Sequence, residues 1–273
     1  MDSGADSMDQ PWARTLPARV AREAIICGVF GPLMDIYTRR AVVGHEHLET
    51  LDQPVIFVAN HASHMDTPAL LRALPTRWRR RTTVAAAADY FYVKRHLANA
   101  VSLAFCTVPL ERQGGTLHEG PPAHLTRLLD ERWSVVVFAE GTRSRDGSVG
   151  RLRAGSAVMA MAYGVPIVPV YVGGTHEAMP TGRSWPTRAP GGLLGHRRPA
   201  TIAFGAPITP APGEGPREVM ERVRLFLAAS GGDTTPDPRI AAGRERAARA
   251  ASAAGNDSAD DGSGPVADQR QPA

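Results

Sequence analysis

The stretch Val55-Ile-Phe-Val-Ala-Asn-His-Ala-Ser-His-Met-Asp66 decides the fold, because it joins a buried strand to a cluster of polar side chains. Its first five residues are an apolar, β-branched run of the kind that a parallel sheet buries on both faces, and Asn60 ends the run. A helix is expected to begin between Ser63 and Asp66, since both are good N-cap residues. His61 therefore follows the carboxyl end of a strand, where open α/β sheets bind their ligands.

The spacing of His61 and Asp66 is typical of a catalytic pair. On one continuous helix, residues five apart point roughly 140° away from each other at about 3.6 residues per turn, so the two side chains would not meet. With His61 in the turn and Asp66 at the start of the helix, the carboxylate can reach one imidazole nitrogen and leave the other to accept a proton. A histidine oriented in this way is a general base, which typically contributes about a hundred- to ten-thousand-fold in rate.

Two other interpretations of these residues stay open from the sequence alone. Asp66 can be a capping residue that pairs with Ser63 in a capping box, with His61 only a turn residue. Alternatively His61, His64 and Asp66 can be metal ligands, although both cysteines lie elsewhere and no second ligand cluster follows. We therefore expect no metal at this site.

Composition narrows the class of function. The chain has 273 residues, of which 43% are hydrophobic, so it can bury one sizeable core. Cys27 and Cys106 form no Cys-x-x-Cys pair, which indicates a reducing compartment without a disulfide framework or a zinc ribbon. The single lysine, Lys94, lies in no Gly-x-x-x-x-Gly-Lys context, which excludes P-loop nucleotide chemistry. The net charge of +4 is concentrated in the body of the chain, so anionic partners are expected.

Apolar runs and helical stretches alternate from residue 41 onward. This alternation predicts an α/β fold with a mostly parallel sheet flanked by helices. The predicted strands are residues 55–59, 82–87, 106–110, 134–138, 166–172 and 201–204. The predicted helices between and after them are residues 67–74, 90–105, 122–132, 154–163 and 217–228.

Four segments are predicted along the chain. Residues 1–15 lack a core pattern and are expected to be disordered, and residues 16–40 are expected to form an N-terminal amphipathic helix. Residues 41–229 form the main α/β domain. Residues 230–273 turn to Gly, Asp, Pro, Ala and Arg without a sustained apolar face, so they are expected to be a disordered tail.

The N-terminal segment contains an almost wholly apolar run at residues 24–34, which is too short to span a bilayer. Eleven helical residues extend about 16 Å, against a hydrocarbon core of about 30 Å. The segment is either a helix packed on the body or an interfacial helix that lies in a membrane surface. We favour the second interpretation because basic residues flank the run, at Arg14, Arg19, Arg22, Arg39 and Arg40.

Further strand ends carry residues suited to binding an anion. Leu110-Glu-Arg112 ends one strand, and Phe138-Ala-Glu-Gly-Thr-Arg-Ser144 ends another. Gly141 lets backbone approach a ligand, and Arg143 offers a forked donor set suited to phosphate. Val165-Pro-Ile-Val-Pro169 enters a further strand. Arg143 can instead pair with the neighbouring glutamate on the surface, and the prolines can simply mark a strand start.

Together these four motifs resemble the glycerolipid acyltransferase family typified by the 1-acylglycerol-3-phosphate acyltransferases. The stretch from Asn60 to Asp66 matches the family's His-x-x-x-x-Asp block, and the other three motifs are similar to its second, third and fourth blocks, in the same order. The resemblance implies a glycerol-3-phosphate acyltransferase-like fold, with an acyltransferase domain at residues 41–229. Ala139 replaces the usual proline of the third block, and Glu111 stands where an aspartate is common.

The resemblance also implies roles for individual residues. In this family the histidine deprotonates the acceptor hydroxyl, which attacks an acyl thioester, and the aspartate orients the histidine. Carried over, His61 is the base and Asp66 its partner. No cofactor is implied, because acyl-CoA or acyl-ACP is a co-substrate. The implied substrate-binding residues are Arg112, Glu140, Gly141, Thr142 and Arg143 for the acceptor, and Pro166 for the acyl region.

These implications predict an acyltransferase that acylates a lysophospholipid, with 1-acyl-sn-glycerol-3-phosphate as the expected acceptor and phosphatidic acid as the product. The expected partners are an anionic membrane surface, the lysophospholipid and acyl-CoA or acyl carrier protein. The expected location is the cytoplasmic face of the cell membrane, as a peripheral protein. An acyltransferase for another lipid alcohol and a non-catalytic lipid-binding protein remain as alternatives.

Other classes of function fit the sequence less well. A nucleic-acid-binding protein would explain the basic run Arg77-Trp-Arg-Arg-Arg81, but it would leave His61 and Glu140 without a task. We therefore expect no nucleic acid as a partner. A serine hydrolase would need a Gly-x-Ser-x-Gly elbow, which the sequence lacks. The basic run itself either grips phosphates or is a solvated run of charge.

Overall fold

The computed structural model describes residues 8–52, 54–87, 95–110, 123–191 and 195–235, and isolated positions beyond. The chain separates into one compact unit that ends at Thr235 and a second that begins at Pro236. Most of the second unit lies outside the described residues, as do residues 1–7 and the segment 111–122. The predicted disorder of residues 1–7 and 236–273 therefore stays a prediction.

Helices and strands alternate along the described chain. The strands are β1 (Thr38–Val43), β2 (Ile56–Ala59), β3 (Thr82–Ala87), β4 (Thr107–Leu110), β5 (Ser134–Phe138), β6 (Ile167–Gly173) and β7 (Arg198–Phe204). The helices are α1 (Leu16–Ile25), α2 (Gly31–Tyr37), α3 (Glu46–Glu49), α4 (Asp66–Ala73), α5 (Thr76–Arg79), α6 (Arg95–Phe105), α7 (Ala123–Asp130), α8 (Gly155–Tyr163), α9 (Thr175–Ala178) and α10 (Pro216–Ala229).

One sheet holds all the strands of the described chain, in the order β1-β7-β6-β2-β5-β3-β4. Every neighbouring pair is parallel except β6 and β7, which run antiparallel. The predicted α/β class with a mostly parallel sheet flanked by helices is therefore confirmed. The order places β2 in the middle of the sheet, between β5 and β6.

The central strand β2 is buried on both faces, as its unbroken apolar sequence predicts. Phe57 points into one hydrophobic cluster, where it meets Trp78 edge-on at a ring-centroid distance of 5.7 Å. Ile56 and Val58 point into the other cluster, with side chains of α7, α8 and α10. The sheet is thus a layer between two apolar cores, which fixes the ends of its strands.

Asn60 ends β2 and locks it to the neighbouring strand. Its side-chain nitrogen donates to the carbonyl of Val172, and its side-chain oxygen accepts the Val172 amide, both at 2.8 Å. The side chain is buried, so these bonds are shielded from water. The turn that follows β2 therefore starts from a fixed point on β6.

The prediction for the N-terminal segment was wrong about its boundaries. Residues 38–40 belong to β1 rather than to a helix, and β1 pairs with β7 in parallel. β1 was missed because its burial alternates and its sequence Thr-Arg-Arg-Ala-Val-Val lacks an apolar run. Residues 11–14, expected to be disordered, form a short 3-10 helix in which Ala13 is buried.

α1 and α2 pack on the body through a line of inward residues. A π-helical turn, Ile26–Phe30, joins the two helices. Ile26 and Met34 lie in the core, and the buried guanidinium of Arg22 donates to the carbonyls of Ala13 and Ser102. In the described ranges, no helix combines the length and apolarity needed to cross a bilayer.

The folded domain ends later than predicted, at residue 235 rather than 229. Val149 and Thr234 form a parallel bridge, in which the Val149 amide donates to the Asp233 carbonyl at 2.6 Å. Arg224 of α10 also donates to the hydroxyl of Thr234 at 2.8 Å. Residues 230–235 were assigned to the disordered tail because they contain no apolar side chain, and their backbone bonds could not be read from composition.

The basic run at residues 77–81 is largely structural. Arg77 donates to the carbonyls of Leu48 and Glu49, and Arg79 forms a partly buried ion pair with Glu23 of α1. Arg81 donates to the carbonyl of Glu131. These contacts explain the charge run without a bound phosphate.

We predict that Asn60→Ala lowers the free energy of unfolding by about 2–4 kcal/mol, because it leaves two buried backbone groups of Val172 without partners. Urea denaturation followed by circular dichroism measures the change. The control is Asn99→Ala, at an exposed position of α6, which should change stability by less than about 0.5 kcal/mol. Equal effects of the two substitutions would contradict the role given to Asn60.

Candidate active site

Three loops meet at one edge of the sheet. Because β2 runs parallel to both β5 and β6, the segments that follow these strands emerge side by side. They are residues 60–66 after β2, residues 139–150 after β5 and residues 173–179 after β6. This is the carboxyl edge of the sheet, where the sequence predicted the site.

His61 and Asp66 form the predicted pair. Nδ1 of His61 lies 2.8 Å from Oδ2 of Asp66. The side chain of Asp66 is completely buried, whereas that of His61 is 19% exposed. With its Nδ1 proton donated to the carboxylate, a neutral imidazole presents Nε2 as a proton acceptor. The geometry is that of a histidine base with an orienting carboxylate.

The carboxylate of Asp66 has several donors besides His61. Its Oδ2 also accepts the amides of Ala62 and Ser63, at 2.7 and 2.8 Å. Its Oδ1 accepts the hydroxyl of Thr175 at 2.5 Å. Asp66 therefore accepts the backbone amide of Ser63, as in a capping box, and is at the same time bonded to Nδ1 of His61. The capping and catalytic interpretations describe one arrangement rather than two.

The imidazole of His61 is also held by an aromatic ring. Phe138, at the end of β5, stacks on it with a centroid distance of 4.0 Å and an interplanar angle of 20°. Stacking fixes the plane of the ring, and the bond to Asp66 fixes its rotation within that plane. Both ring nitrogens consequently have defined directions.

Glu140 braces the loop after β5 against the turn that carries His61. Its Oε1 accepts the backbone amide of His61 and its Oε2 accepts that of Gly150, both at 2.8 Å. Burial raises the pKa of this carboxyl, and the two backbone amides oppose the rise. Glu140 is therefore a buried brace rather than a surface partner of Arg143. Its implied contact with substrate stays a prediction.

The rest of the third motif surrounds this brace. Gly141 has a φ of +75°, and a Cβ there would lie 2.8 Å from Nε of Arg153, so the turn requires glycine. Thr142 is exposed, and the half-buried Arg143 directs Nη1 at Nε2 of His64. Partial burial and the positive charge of Arg143 lower the pKa of His64. A neutral His64 can accept this hydrogen bond, so Arg143 is held near the pair.

Two of the predicted substrate-binding residues are not part of this cluster. Arg112 lies outside the described residues. Pro166 precedes β6 at the opposite edge of the sheet, where its carbonyl accepts the Ile56 amide at 3.0 Å. Along the direction of the strands, Pro166 and His61 are about five residues apart, a separation of about 16 Å. The implied role of Pro166 in the acyl region stays a prediction.

The hydrogen bonds made by Asp66 and His64 argue against the interpretation of these residues as metal ligands. Oδ2 of Asp66 already accepts three N–H donors, and a guanidinium lies against His64. Across the residues that the structure describes, no group of three or more His, Cys, Asp or Glu side chains is arranged to hold a metal ion.

Sequence reasoning missed Phe138 and Thr175 as residues of the site. The signal for Phe138 was its position at the end of a strand that pairs with β2, since it lies opposite Ala59 in the parallel register. Thr175 follows Gly173 and Gly174, a pair that marks a tight turn after an apolar strand.

Comparison with known proteins finds relatives in sequence. Residues 39–173 match the model of the family described as Acyltransferase. The chain is 31% identical over 156 residues to the chloroplastic 1-acyl-sn-glycerol-3-phosphate acyltransferase BAT2 of Brassica napus, covering 57% of this chain and 41% of that protein. Identity to the corresponding LPAT1 of Arabidopsis thaliana is also 31% over 156 residues, with coverages of 57% and 40%. The match spans about two fifths of the length of these relatives.

A solved structure shares the fold. It is the 1-acyl-sn-glycerophosphate acyltransferase PlsC of Thermotoga maritima, at a TM-score of 0.55 and 24% identity, covering 81% of this chain and 83% of that one. The matched family region contains the His61–Asp66 pair, the brace Glu140 and the loop that carries Arg143. Residues 39–173 of this chain therefore match the acyltransferase family.

Proposed function

We propose that this chain transfers a fatty acyl group from a thioester to the free hydroxyl of 1-acyl-sn-glycerol-3-phosphate, which yields phosphatidic acid. The observation that carries the proposal is the fully buried Asp66 bonded to Nδ1 of a partly exposed His61. The names of the Brassica and Arabidopsis relatives support the choice of acceptor.

The proposed reaction uses His61 first as a base and then as an acid. Nε2 accepts the proton of the acceptor hydroxyl while the oxygen attacks the carbonyl carbon of the thioester. The new C–O bond forms, the C–S bond breaks, and the departing thiolate takes up the proton from the imidazolium. Asp66 stabilises the imidazolium in between, because its buried carboxylate lies against Nδ1.

Arg143 is the proposed ligand of the acceptor phosphate. It lies in the loop after β5, at the same edge of the sheet as His61, and a guanidinium offers paired donors that match phosphate oxygens. Its contact with His64 limits where the guanidinium points. The thioester arrives activated, as acyl-CoA or acyl carrier protein, so the proposed chemistry needs no further cofactor.

The N-terminal helices offer a surface suited to a lipid bilayer. Between residues 16 and 36, the exposed positions are Leu16, Pro17, Val20, Ala24, Cys27, Gly28, Val29, Pro32 and Ile36, none of which carries a charge. Among the charged side chains of the same segment, that of Asp35 is 44% exposed and pairs with Arg72. Arg22 is buried, and Glu23 pairs with Arg79. A helical surface whose fully exposed positions are uncharged and mostly apolar is unfavourable in water but suits a membrane surface.

Trp185 extends this apolar surface from a different part of the chain. It is 59% exposed, and its indole nitrogen donates to the hydroxyl of Tyr37 at 2.7 Å, next to the exposed Ile36. Tryptophan is favoured at the boundary between lipid and water. Arg183 and Arg197 are exposed in the same region and suit anionic headgroups. We therefore infer peripheral binding to an anionic membrane surface, on its cytoplasmic face, where the lysophospholipid acceptor resides.

We predict that His61→Ala lowers the rate of acyl transfer to less than about 1% of the wild-type rate. The variant lacks Nε2, the nitrogen that is proposed to accept the proton of the acceptor hydroxyl. Release of thiol from acyl-CoA in the presence of 1-acyl-sn-glycerol-3-phosphate measures the rate. The control is His96→Ala, at an exposed position of α6, which should keep full activity. A wild-type protein that binds the lipid without releasing thiol from CoA or carrier-protein thioesters would instead favour a non-catalytic lipid-binding protein.

We predict that Arg143→Ala raises the KM for 1-acyl-sn-glycerol-3-phosphate about tenfold or more, while the KM for the thioester changes less than twofold. The reason is that only the acceptor carries the phosphate that Arg143 is proposed to bind. Steady-state kinetics with each substrate varied in turn separate the two effects. Arg217→Ala, at an exposed position of α10, is the matched control. Equal changes in both KM values would remove the phosphate role.

We predict that the double substitution Val20→Glu and Val29→Glu weakens flotation with vesicles that contain anionic phospholipid. Val20 and Val29 are each 59% exposed, so the fold should tolerate glutamate at both positions. Each introduced carboxylate would oppose insertion of this surface among lipid tails. Removing residues 1–40 is not a suitable test, because Ile26 and Met34 belong to the core. Leu225→Glu, on the exposed side of α10, is the control and should float as the wild type does. Unchanged flotation of the double variant would contradict the proposal that this surface binds the membrane.

A further inference from the structure

The short segment from Thr175 to Met179 buttresses the turn that carries the catalytic pair. The hydroxyl of Thr175 donates to Oδ1 of Asp66 at 2.5 Å, and the hydroxyl of Ser63 donates to the carbonyl of Met179 at 2.7 Å. Nδ1 of His176 lies 3.2 Å from the carbonyl of Ala62. Three positions of the turn, Ala62, Ser63 and Asp66, are thus tied to a segment more than a hundred residues away, which begins just beyond the matched family region.

A strict backbone turn delivers Thr175 to Asp66. Gly174 follows β6 with a φ of +79°, and a Cβ there would lie 2.0 Å from the carbonyl oxygen of Pro199. Only glycine fits this position, because any side chain would collide with the backbone of β7. The turn directs Thr175 into the interior, where its side chain is buried. The backbone turn at Gly174, rather than the contact with the carboxylate, therefore fixes the position of Thr175.

We infer that Thr175 is a positioning residue that acts on His61 through Asp66. This inference rests on the proposed acyl transfer for its kinetic consequences, although the geometry stands without it. The two carboxylate oxygens have different tasks. Oδ2 accepts His61 and two backbone amides, whereas the bond that the structure shows for Oδ1 comes from Thr175. The hydroxyl therefore fixes the rotation of the carboxylate and withdraws part of its negative charge.

Removal of the hydroxyl has two physical consequences. The carboxylate gains freedom to rotate, so the imidazole spends less time in the orientation that receives a proton. The carboxylate also keeps more negative charge for its bond to His61, which favours the imidazolium over the neutral imidazole. The first effect lowers kcat, and the second moves the acidic limb of the kcat/KM–pH profile to higher pH. A purely structural role would lower the folded fraction and leave the position of that limb unchanged.

Few other ionisable groups act on this bond. The ionisable groups that the structure places against the turn of His61 include Asp66, Glu140, the pair His64 and Arg143, and His176 on the segment that carries Thr175. Of these groups, Asp66 is the one that contacts the hydroxyl of Thr175 in the bonds that the structure shows. A change in the titration of His61 on substitution of Thr175 would therefore pass through Asp66.

The test compares Thr175→Val, which keeps the shape and removes the hydroxyl, with Thr175→Ser, which keeps the hydroxyl. We expect kcat to fall about ten- to a hundredfold in the valine variant, as for the loss of a hydrogen bond to a charged group, with KM values within about twofold. The serine variant should restore most of kcat. Thr82→Val is the matched control, since Thr82 is equally buried and donates to the Trp78 carbonyl at 2.8 Å at the opposite edge of the sheet. It should leave kcat within about twofold of wild type.

A second readout separates this inference from the proposed function. NMR titration of the His61 imidazole, assigned with His61→Gln, needs no substrate. The midpoint should move to higher pH in Thr175→Val and return in Thr175→Ser. If the midpoint moves but the wild-type protein acylates no lysophospholipid, the positioning role stands and the proposed function fails. If the midpoint is the same in the wild-type, valine and serine proteins, the positioning role is overturned, whatever the activity.

Discussion

The arrangement of the whole site depends on one buried carboxylate. Asp66 has no exposed side-chain surface, and an unpaired carboxylate in such a place would be strongly unfavourable. Four donors compensate for its burial: two backbone amides, the hydroxyl of Thr175 and the imidazole of His61. These donors come from the turn after β2 and the segment after β6. The buried carboxylate is fully hydrogen-bonded only when both are in place, so its burial depends on the packing of these two segments.

The sheet topology makes this convergence unavoidable. A central strand with parallel neighbours on both sides delivers three loops to one edge, and each loop supplies a different property. The loop after β2 supplies the proposed base, the loop after β5 supplies the stacking ring and the brace, and the loop after β6 supplies the second support of the carboxylate. Glu140 and Asp66 are both buried carboxylates with backbone donors, but only Asp66 contacts an imidazole nitrogen. Their neighbours, rather than their residue type, separate the brace from the catalytic partner.

Local sequence features predicted most of the strands and helices. They predicted none of the contacts between residues that lie far apart in the sequence. Residues 82–87 and 134–138 were predicted with the observed bounds of β3 and β5, because buried parallel strands are apolar throughout. The His61–Asp66 contact could be predicted since five residues and a strand end determine it. Thr175 could not, because 109 residues separate it from Asp66 and only the order of the strands brings them together. β1 and the backbone pairing of residues 230–235 were missed for a related reason, since edge pairing through backbone atoms leaves little trace in side-chain pattern.

The energetics of the pair also bear on the choice between an enzyme and a passive lipid-binding protein. Replacing a buried ionic contact by packed apolar side chains is often neutral or stabilising, so binding a lipid tail gives no reason to keep Asp66 and His61 together. Capping of the turn explains the buried carboxylate of Asp66, and the proposed proton transfer explains why a partly exposed imidazole lies against it. The stacking of Phe138 supports the same conclusion, because it restricts the ring to one plane without adding to any lipid contact. An apolar outer face on α1 and α2 would serve either kind of protein, whereas a histidine oriented by a buried carboxylate fits the proposed acyl transfer better than passive binding of a lipid.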